Sequence, residues 1–332
     1  MGPAWAGGTT TRLRMDYAPV LPQNRALDGV ATVEGGHSGS ATFWNLRVNR
    51  RQLLRRPASL TDSSRAAVAL LGGRARRIPP LRSGHDVGGA EQVTCQLVSL
   101  CFDALDPSRL SSFWSGVLGF EKVDDAEDGF PLIPDDDTGF KIRFRPTRTP
   151  KVGQNQMHFD LTSNSLEDQQ ETVTRALRLG AAHLDIGQGP DAEHVVLADP
   201  EGNEFCVIEP GNSFLADCGL IGALASDGSQ EVGYFWSKAL GWPLVWDQDQ
   251  ETAIRSPAGG PKVTWGGPPI APKTGKYRLH FDIAPADRGD QQVEIDRLIA
   301  LGASRIDIGQ GDVSWLVMTD PDGHEFCVLP PQ

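Results

Sequence analysis

The sequence predicts an α+β chain of two tandem domains, each made of paired βαβββ modules, preceded by an extension of different character. Three observations predict it. Four landmarks occur twice in the same order: FWSGVLGF at 113–120 returns as FWSKALGW at 235–242, MHFDL at 157–161 as LHFDI at 279–283, DIGQG at 185–189 again at 307–311, and DPEGNEFCV at 199–207 as DPDGHEFCV at 320–328. The offset is 122 residues for three pairs and 121 for the last, which marks two duplicated domains, 93–212 and 213–332. Within a copy, a strand-like run, an amphipathic run and several short strand-like pieces occur, and then the pattern restarts. Finally, each copy ends on Asp-Pro-x-Gly between two β-rich pieces, the residue order of a type I turn closing a hairpin.

Taken in order, QLVSLCFDA opens the first copy as a β-rich strand. Asp106 caps the next helix, which carries Leu110, Phe113, Trp114 and Val117 on one face and stops at Gly119. FPLIPDD and FKIRFRP are short strands, after which QMHFDLTS restarts the pattern, followed by a helix over SLEDQQETVTRALRLGA and strands HLDIG, EHVVLAD and EFCVIE. On the last strand Glu204 and Cys206 share one face while Phe205 takes the other, so Phe205 and its counterpart Phe326 are expected under the helices.

Composition is that of an ordinary soluble chain, with 39% hydrophobic and 22% charged residues over 332 positions. No apolar run approaches the roughly eighteen residues of a membrane span. The formal charge of −12 is unevenly spread. Residues 1–92 hold thirteen Arg, no Lys and six acids, which leaves 93–332 at −19. An acidic body repels phosphates, which argues against a nucleic-acid partner. Five cysteines without a CxxC pair argue against a disulfide scaffold and make the cytoplasm the expected compartment.

Residues 1–92 lack sustained periodicity and are broken by Gly, Pro and Ser, which predicts disorder. The start lacks the basic-then-apolar order of a secretory signal, and Asp16, Asp28, Glu34 and Asp62 interrupt any transit peptide. The Arg clusters at 47–56 and 74–82 read either as a nucleic-acid or partner-binding tail or as text without a specific role. The abrupt change at Val93 points instead to non-native upstream sequence joined by a mis-assigned start. Peptides from 1–92 in protein from its native cell would refute that reading.

FWxxxLG closing the first helix, HFDL opening the second half and DPxGNEF near the end together resemble the vicinal oxygen chelate superfamily, in its glyoxalase-like and bleomycin-resistance-like branch. The resemblance covers 93–332 and implies that the paired modules of each domain curl into a half-barrel around one cleft. In metal-dependent members a divalent ion is held by His, Gln or Glu on the first strand, His on the fifth and Glu on the eighth, and it chelates neighbouring oxygens of a substrate. Carried onto this chain, those positions fall on Ser99, His158 and Cys206 in the first copy, and near Ile221, then on His280 and Cys327, in the second. One ligand of three is kept in each copy, so no metal is the expectation, and the second domain above all is read as having lost its ion.

The remaining candidates read two ways. His158 with Asp160, and His280 with Asp282, share a strand face and serve either as general bases that also orient a ligand or as hydrogen-bonded wall residues. Cys206 and Cys327 are nucleophiles beside those imidazoles or small buried hydrophobes. Glu204 and Glu325 act as acids at the cleft mouth or lie solvated. His194, which matches Trp315 in the other copy, completes an alternative zinc set with His158 and Cys206 in the first domain only. Trp242, Trp246, Trp265 and Trp315 offer planar surfaces for a flat ligand, whereas Trp114 and Trp236 belong to the core. The sequence thus predicts a glyoxalase-like protein that binds or sequesters a small planar or oxygenated organic molecule without a metal, as monomer or homodimer. The alternative is a lyase or isomerase on a small oxygenated metabolite, with a divalent metal in the first domain.

Overall fold

A computed structural model of the protein describes residues 95–127, 129–189, 192–273, 275–286 and 289–332. The expected extension over 1–92 lies outside them. The first module comprises β1 (Cys95–Ala104), α1 (Pro107–Leu118), β2 (Glu121–Lys122), β3 (Leu132–Ile133) and β4 (Lys141–Pro146). The second comprises β5 (Met157–Leu161), α2 (Leu166–Leu179), β6 (Ala182–His183), β7 (Val195–Ala198) and β8 (Glu204–Val207). The second copy repeats the order with β9 (Ile221–Ser226), α3 (Gln230–Leu240), β10 (Leu244–Gln248), β11 (Glu251–Ser256) and β12 (Gly259–Trp265). It ends with β13 (Leu279–Pro285), α4 (Gln291–Ala300), β14 (Ser304–Arg305), β15 (Leu316–Thr319) and β16 (Glu325–Val328). No helix among the described residues is long and apolar enough to cross a membrane.

The local signals hold. Asp106 accepts from the Arg109 amide at 3.0 Å to cap α1, and Gly119 ends that helix at φ 80°, a left-handed conformation that disfavours a side chain. Of the stretch HLDIG only His183 is in a strand, the two-residue β6, because Asp185 accepts from the Gly187 amide and turns the chain. In the Asp-Pro-x-Gly turns the glycine amides of Gly202 and Gly323 donate to Asp199 and Asp320 carbonyls. The Asp199 side chain also accepts from the Glu201 and Asn203 amides and from the Trp114 indole at 3.1 Å; Asp320 does the same for Trp236 at 3.2 Å. Each repeated turn is therefore tied to the repeated tryptophan of the preceding module.

Sheet pairing departs from the expectation. The expected half-barrel from the two modules of one copy is not formed. One eight-stranded sheet runs β14-β15-β16-β13-β1-β4-β3-β2 and the other β10-β11-β12-β9-β5-β8-β7-β6. The first module thus shares a sheet with the fourth, and the second with the third. The cause lies in how each copy packs. Leu100 and Phe102 of β1 face α1, and Trp114 of α1 reaches Phe159 and Phe205 of the next module with ring centroids 5.1 and 5.0 Å apart. Trp236 repeats the arrangement on Phe281 and Phe326, both at 5.1 Å. The two modules of a copy therefore meet through their helix-bearing faces, which leaves the edges of β1 and β5 for antiparallel pairing with β13 and β9.

Candidate functional site

Both clefts lie on the sheet faces turned away from the helices, so each is built from the two copies. The floor of the first comes from β5 and β8, where Asp160 stands directly beside Cys206. Alternation on β5 brings His158 to the same face, with Nε2 3.3 Å from Asp160 Oδ1. Burial alone would lower the pKa of His158, yet its contacts with Cys206 and Asp160 outweigh burial and raise it well above the ordinary imidazole value. The Asp160 carboxylate at 3.3 Å favours the protonated form of the ring, which donates to it, over the neutral form that a general base needs. Burial raises the Cys206 thiol, with His158 pulling the other way, so the thiolate a nucleophile needs is disfavoured.

Across this floor β9 places Ala225 beside His158 and Ala223 beside Asp160. The walls are apolar: Ile186, Val196, Phe214, Leu215, Trp246 and Trp265 line the cleft, and Phe214 meets Trp246 edge to face at 6.0 Å. Side chains lining this cleft also keep buried polar atoms without a hydrogen-bond partner among the described residues, Trp246 Nε1 and Ser226 Oγ among them. His194 and Glu204 stand at its rim. Glu204 is held by Lys151 Nζ at 2.6 Å and by the Asn155 amide at 3.2 Å, so both its oxygens are engaged.

The second cleft has the same floor and different walls. Asp282 stands beside Cys327, and His280 Nε2 lies 3.6 Å from Asp282 Oδ1. Here β1 supplies polar residues: Ser99 Oγ and Cys101 Sγ each donate to Asp282 Oδ2 at 2.9 Å, and Arg143 Nη1 of β4 stands 3.6 Å from the same oxygen. Burial, reinforced by Asp282, raises both the Cys101 and Cys327 thiols far above their ordinary value. Lys276 pairs with Asp103 at 2.5 Å, Lys273 with Glu325 at 2.5 Å, and the Arg145 guanidinium lies 5.6 Å from the Trp315 ring centroid.

The residues expected from sequence are thus regrouped. Ser99 faces Asp282, not His158, and Ile221 lies beside Leu161, because strand pairing crosses between copies. Trp246 and Trp265 line the first cleft and Trp315 the second, whereas Trp242 packs against the core and its carbonyl accepts from Ser237. Sequence reasoning passed over Cys101, Arg143, Arg145 and Lys276. The alternation of Arg143 and Arg145 with Ile142 and Phe144 in KIRFRP was the available signal.

His158, Asp160 and Cys206, and separately Cys101, His280 and Asp282, bring one donor atom each within 4.8 Å of one another, so both groups are potential ligand sets for a divalent ion. His194 is not in the first group; Asp160 takes the place expected for it. Imidazole, carboxylate and thiol suit zinc better than the oxygen-preferring ions that chelate a substrate's paired oxygens. In the first cleft the facing strand offers alanines, and in the second the Arg143 charge competes for Asp282. Neither donor set fits the oxygen-rich ion of metal-dependent relatives.

A family model described as the glyoxalase-like domain matches residues 99–208 and 223–329. No curated protein matches the chain. Among solved structures, glyoxalase I from Zea mays is similar at 13% identity and a TM-score of 0.52, covering 72% of this chain and 93% of that one. A point mutant of the same maize enzyme gives 14% identity and a TM-score of 0.51, covering 72% and 94%. A putative dioxygenase from Bacillus subtilis subsp. subtilis str. 168 covers 71% of this chain and 85% of its own at 15% identity, with a TM-score of 0.41. At these identities the likeness is one of fold.

Proposed function

The chain belongs to the glyoxalase-like domain family and is a tandem member of the vicinal oxygen chelate superfamily; from that premise we propose that it binds a small, flat, largely apolar organic molecule with one polar end, without a metal ion. The ligand lies in the cleft between the module of β5–β8 and the module of β9–β12. One observation carries this reading: an apolar, aromatic-walled cleft in which Trp246 Nε1 and Ser226 Oγ are buried without hydrogen-bond partners among the described residues. A buried polar atom left unpaired costs about 1–3 kcal/mol, which a ligand that pairs with it would recover on binding. Ring faces of Trp246 and Phe214 then hold the flat body, and His158 beside Asp160 meets the polar end. Both clefts are completed within one chain, which supports a single copy as the binding unit.

The test is thermal unfolding of chelator-treated protein against planar phenols, quinones and aromatic ketones, with and without added divalent ions. The expected result is saturable stabilisation by an organic compound, unchanged by metal and lost in Trp246→Ala. Stabilisation that appears only when a divalent ion is supplied would instead support the lyase or isomerase reading, with His158 and Cys206 as ligands.

A further inference from the structure

The second cleft differs from the first in a way that the shared floor does not require. Register makes Arg145, beside Asp103, the counterpart of Thr264, beside Ala225. The 122-residue offset makes Lys276 the counterpart of Gln154. Two neutral polar side chains of the first cleft are therefore cations in the second, and both line its cavity of about 260 Å³ together with Trp315.

The charges are unequally engaged. Lys276 is paired with Asp103, Glu325 with Lys273, and Asp282 with Arg143. Among the described residues no carboxylate lies within ion-pair distance of the Arg145 guanidinium, which donates to the Glu127 carbonyl at 3.3 Å and lies over the Trp315 ring. The cavity thus holds a guanidinium fork whose charge is not matched by a carboxylate of the described residues. A second difference points the same way. Glu204 has both oxygens engaged, whereas Glu325, with a side chain 8% exposed, keeps Oε2 buried and without a hydrogen-bond partner among the described residues. A cavity that, among the described residues, holds an unmatched cation, an unfilled acceptor and an indole face is complementary to a particular kind of molecule.

We infer that the second cleft is a separate binding site for a small aromatic carboxylate bearing a hydroxyl or amino donor. Its carboxylate meets the Arg145 fork, where paired N–H groups match two oxygens. Its donor satisfies Glu325 Oε2, and its ring lies along Trp315. This goes beyond the ligand proposed for the first cleft: the two sites differ in charge and need not be filled together.

The test is calorimetric titration of the full chain with 4-hydroxybenzoate and tyrosine, each compared with its carboxamide. Saturable binding is expected for the carboxylates, weakened about tenfold or more for the amides. Arg145→Thr, which writes in the first copy's residue, is expected to weaken the carboxylates by a similar factor while leaving the melting temperature close to that of the parent. Arg145→Lys, which keeps the charge but not the fork, falls between. Trp246→Ala, in the other cleft, leaves this binding unchanged, which separates it from the first ligand's site. Equal binding of acid and amide, binding that survives Arg145→Thr, binding that is lost in Trp246→Ala, or no saturable binding of either carboxylate in the millimolar range would each overturn the inference.

Discussion

The two clefts share a His-x-Asp pair and a cysteine and differ in nearly everything that surrounds them. In the first, the carboxylate of Asp160 has His158 at 3.3 Å and alanines across the sheet. In the second, Asp282 receives Ser99, Cys101 and Arg143 as well as His280. The same three residue types are therefore the floor of an apolar-walled cleft in one place and the centre of a buried polar network in the other. Duplication preserved the floor, whose residues also sit in strands that carry the core phenylalanines, while the facing strand was free to diverge.

Five substitutions sharpen that contrast, the largest effect first. Trp114→Ala and Trp236→Ala remove the indole that joins the two modules of each copy, and each is expected to cost about 3–5 kcal/mol by denaturant unfolding. Nearly equal losses would show that the copies kept the same internal packing; a loss under half in one would break the symmetry. Next, Asp282→Ala leaves the buried Ser99 and Cys101 donors without their acceptor and takes a carboxylate from beside Arg143, and should cost about 3–5 kcal/mol. The matching Asp160→Ala removes a contact with His158 on a floor that faces alanines across the sheet, so a smaller loss of about 1–3 kcal/mol is expected. Equal effects in the two clefts would contradict the assignment of Asp282 to a structural network.

The smallest effect concerns the repeated turn, where Asn203 of the first copy is replaced by His324 in the second. Burial would lower the pKa of His324, but Asp320 first, then Asp322 and Asp227, outweigh it and raise the value above 6.5. Tyr277 also packs against the ring, at 5.3 Å between centroids. A raised imidazole stabilises the fold fully below its ordinary pKa and loses that contribution as pH rises through the raised folded value. The stability of the parent relative to His324→Asn should thus be constant below about pH 6.5 and decline above it, as followed by thermal unfolding across pH. A flat difference would place the turn's stability in hydrogen bonds indifferent to charge.

What the sequence disclosed was local. Asp106 as a cap, Gly119 as a stop, the tryptophan face of α1 and the Asp-Pro-x-Gly hairpins are set by neighbours a few residues away, and periodicity and turn chemistry read them directly. The duplication was legible because it is a pattern of identity. The partnership of the sheets was not: β1 meets β13 across about 180 residues, and an edge pairing of that range leaves no local trace. The grouping of site residues failed with it, since Ser99 was matched to His158 in its own copy when its partner is Asp282 in the other. The polar alternation of Ser99, Cys101 and Asp103 against Leu100 and Phe102 stands in the sequence as the signal, passed over there, of a strand with one face on a polar cleft.

The measurement that bears most directly on the central claim, that the first cleft binds an organic molecule on a hydrogen-bonding floor and not through a metal centre, is elemental analysis of protein purified without chelators or affinity metals. Wild type is compared with His158→Ala and Cys206→Ala. The account predicts the same, far sub-stoichiometric, zinc and other divalent metal in all three. Near-stoichiometric metal in the wild type that is lost in both variants would contradict it and make His158 and Cys206 ligands of a bound ion.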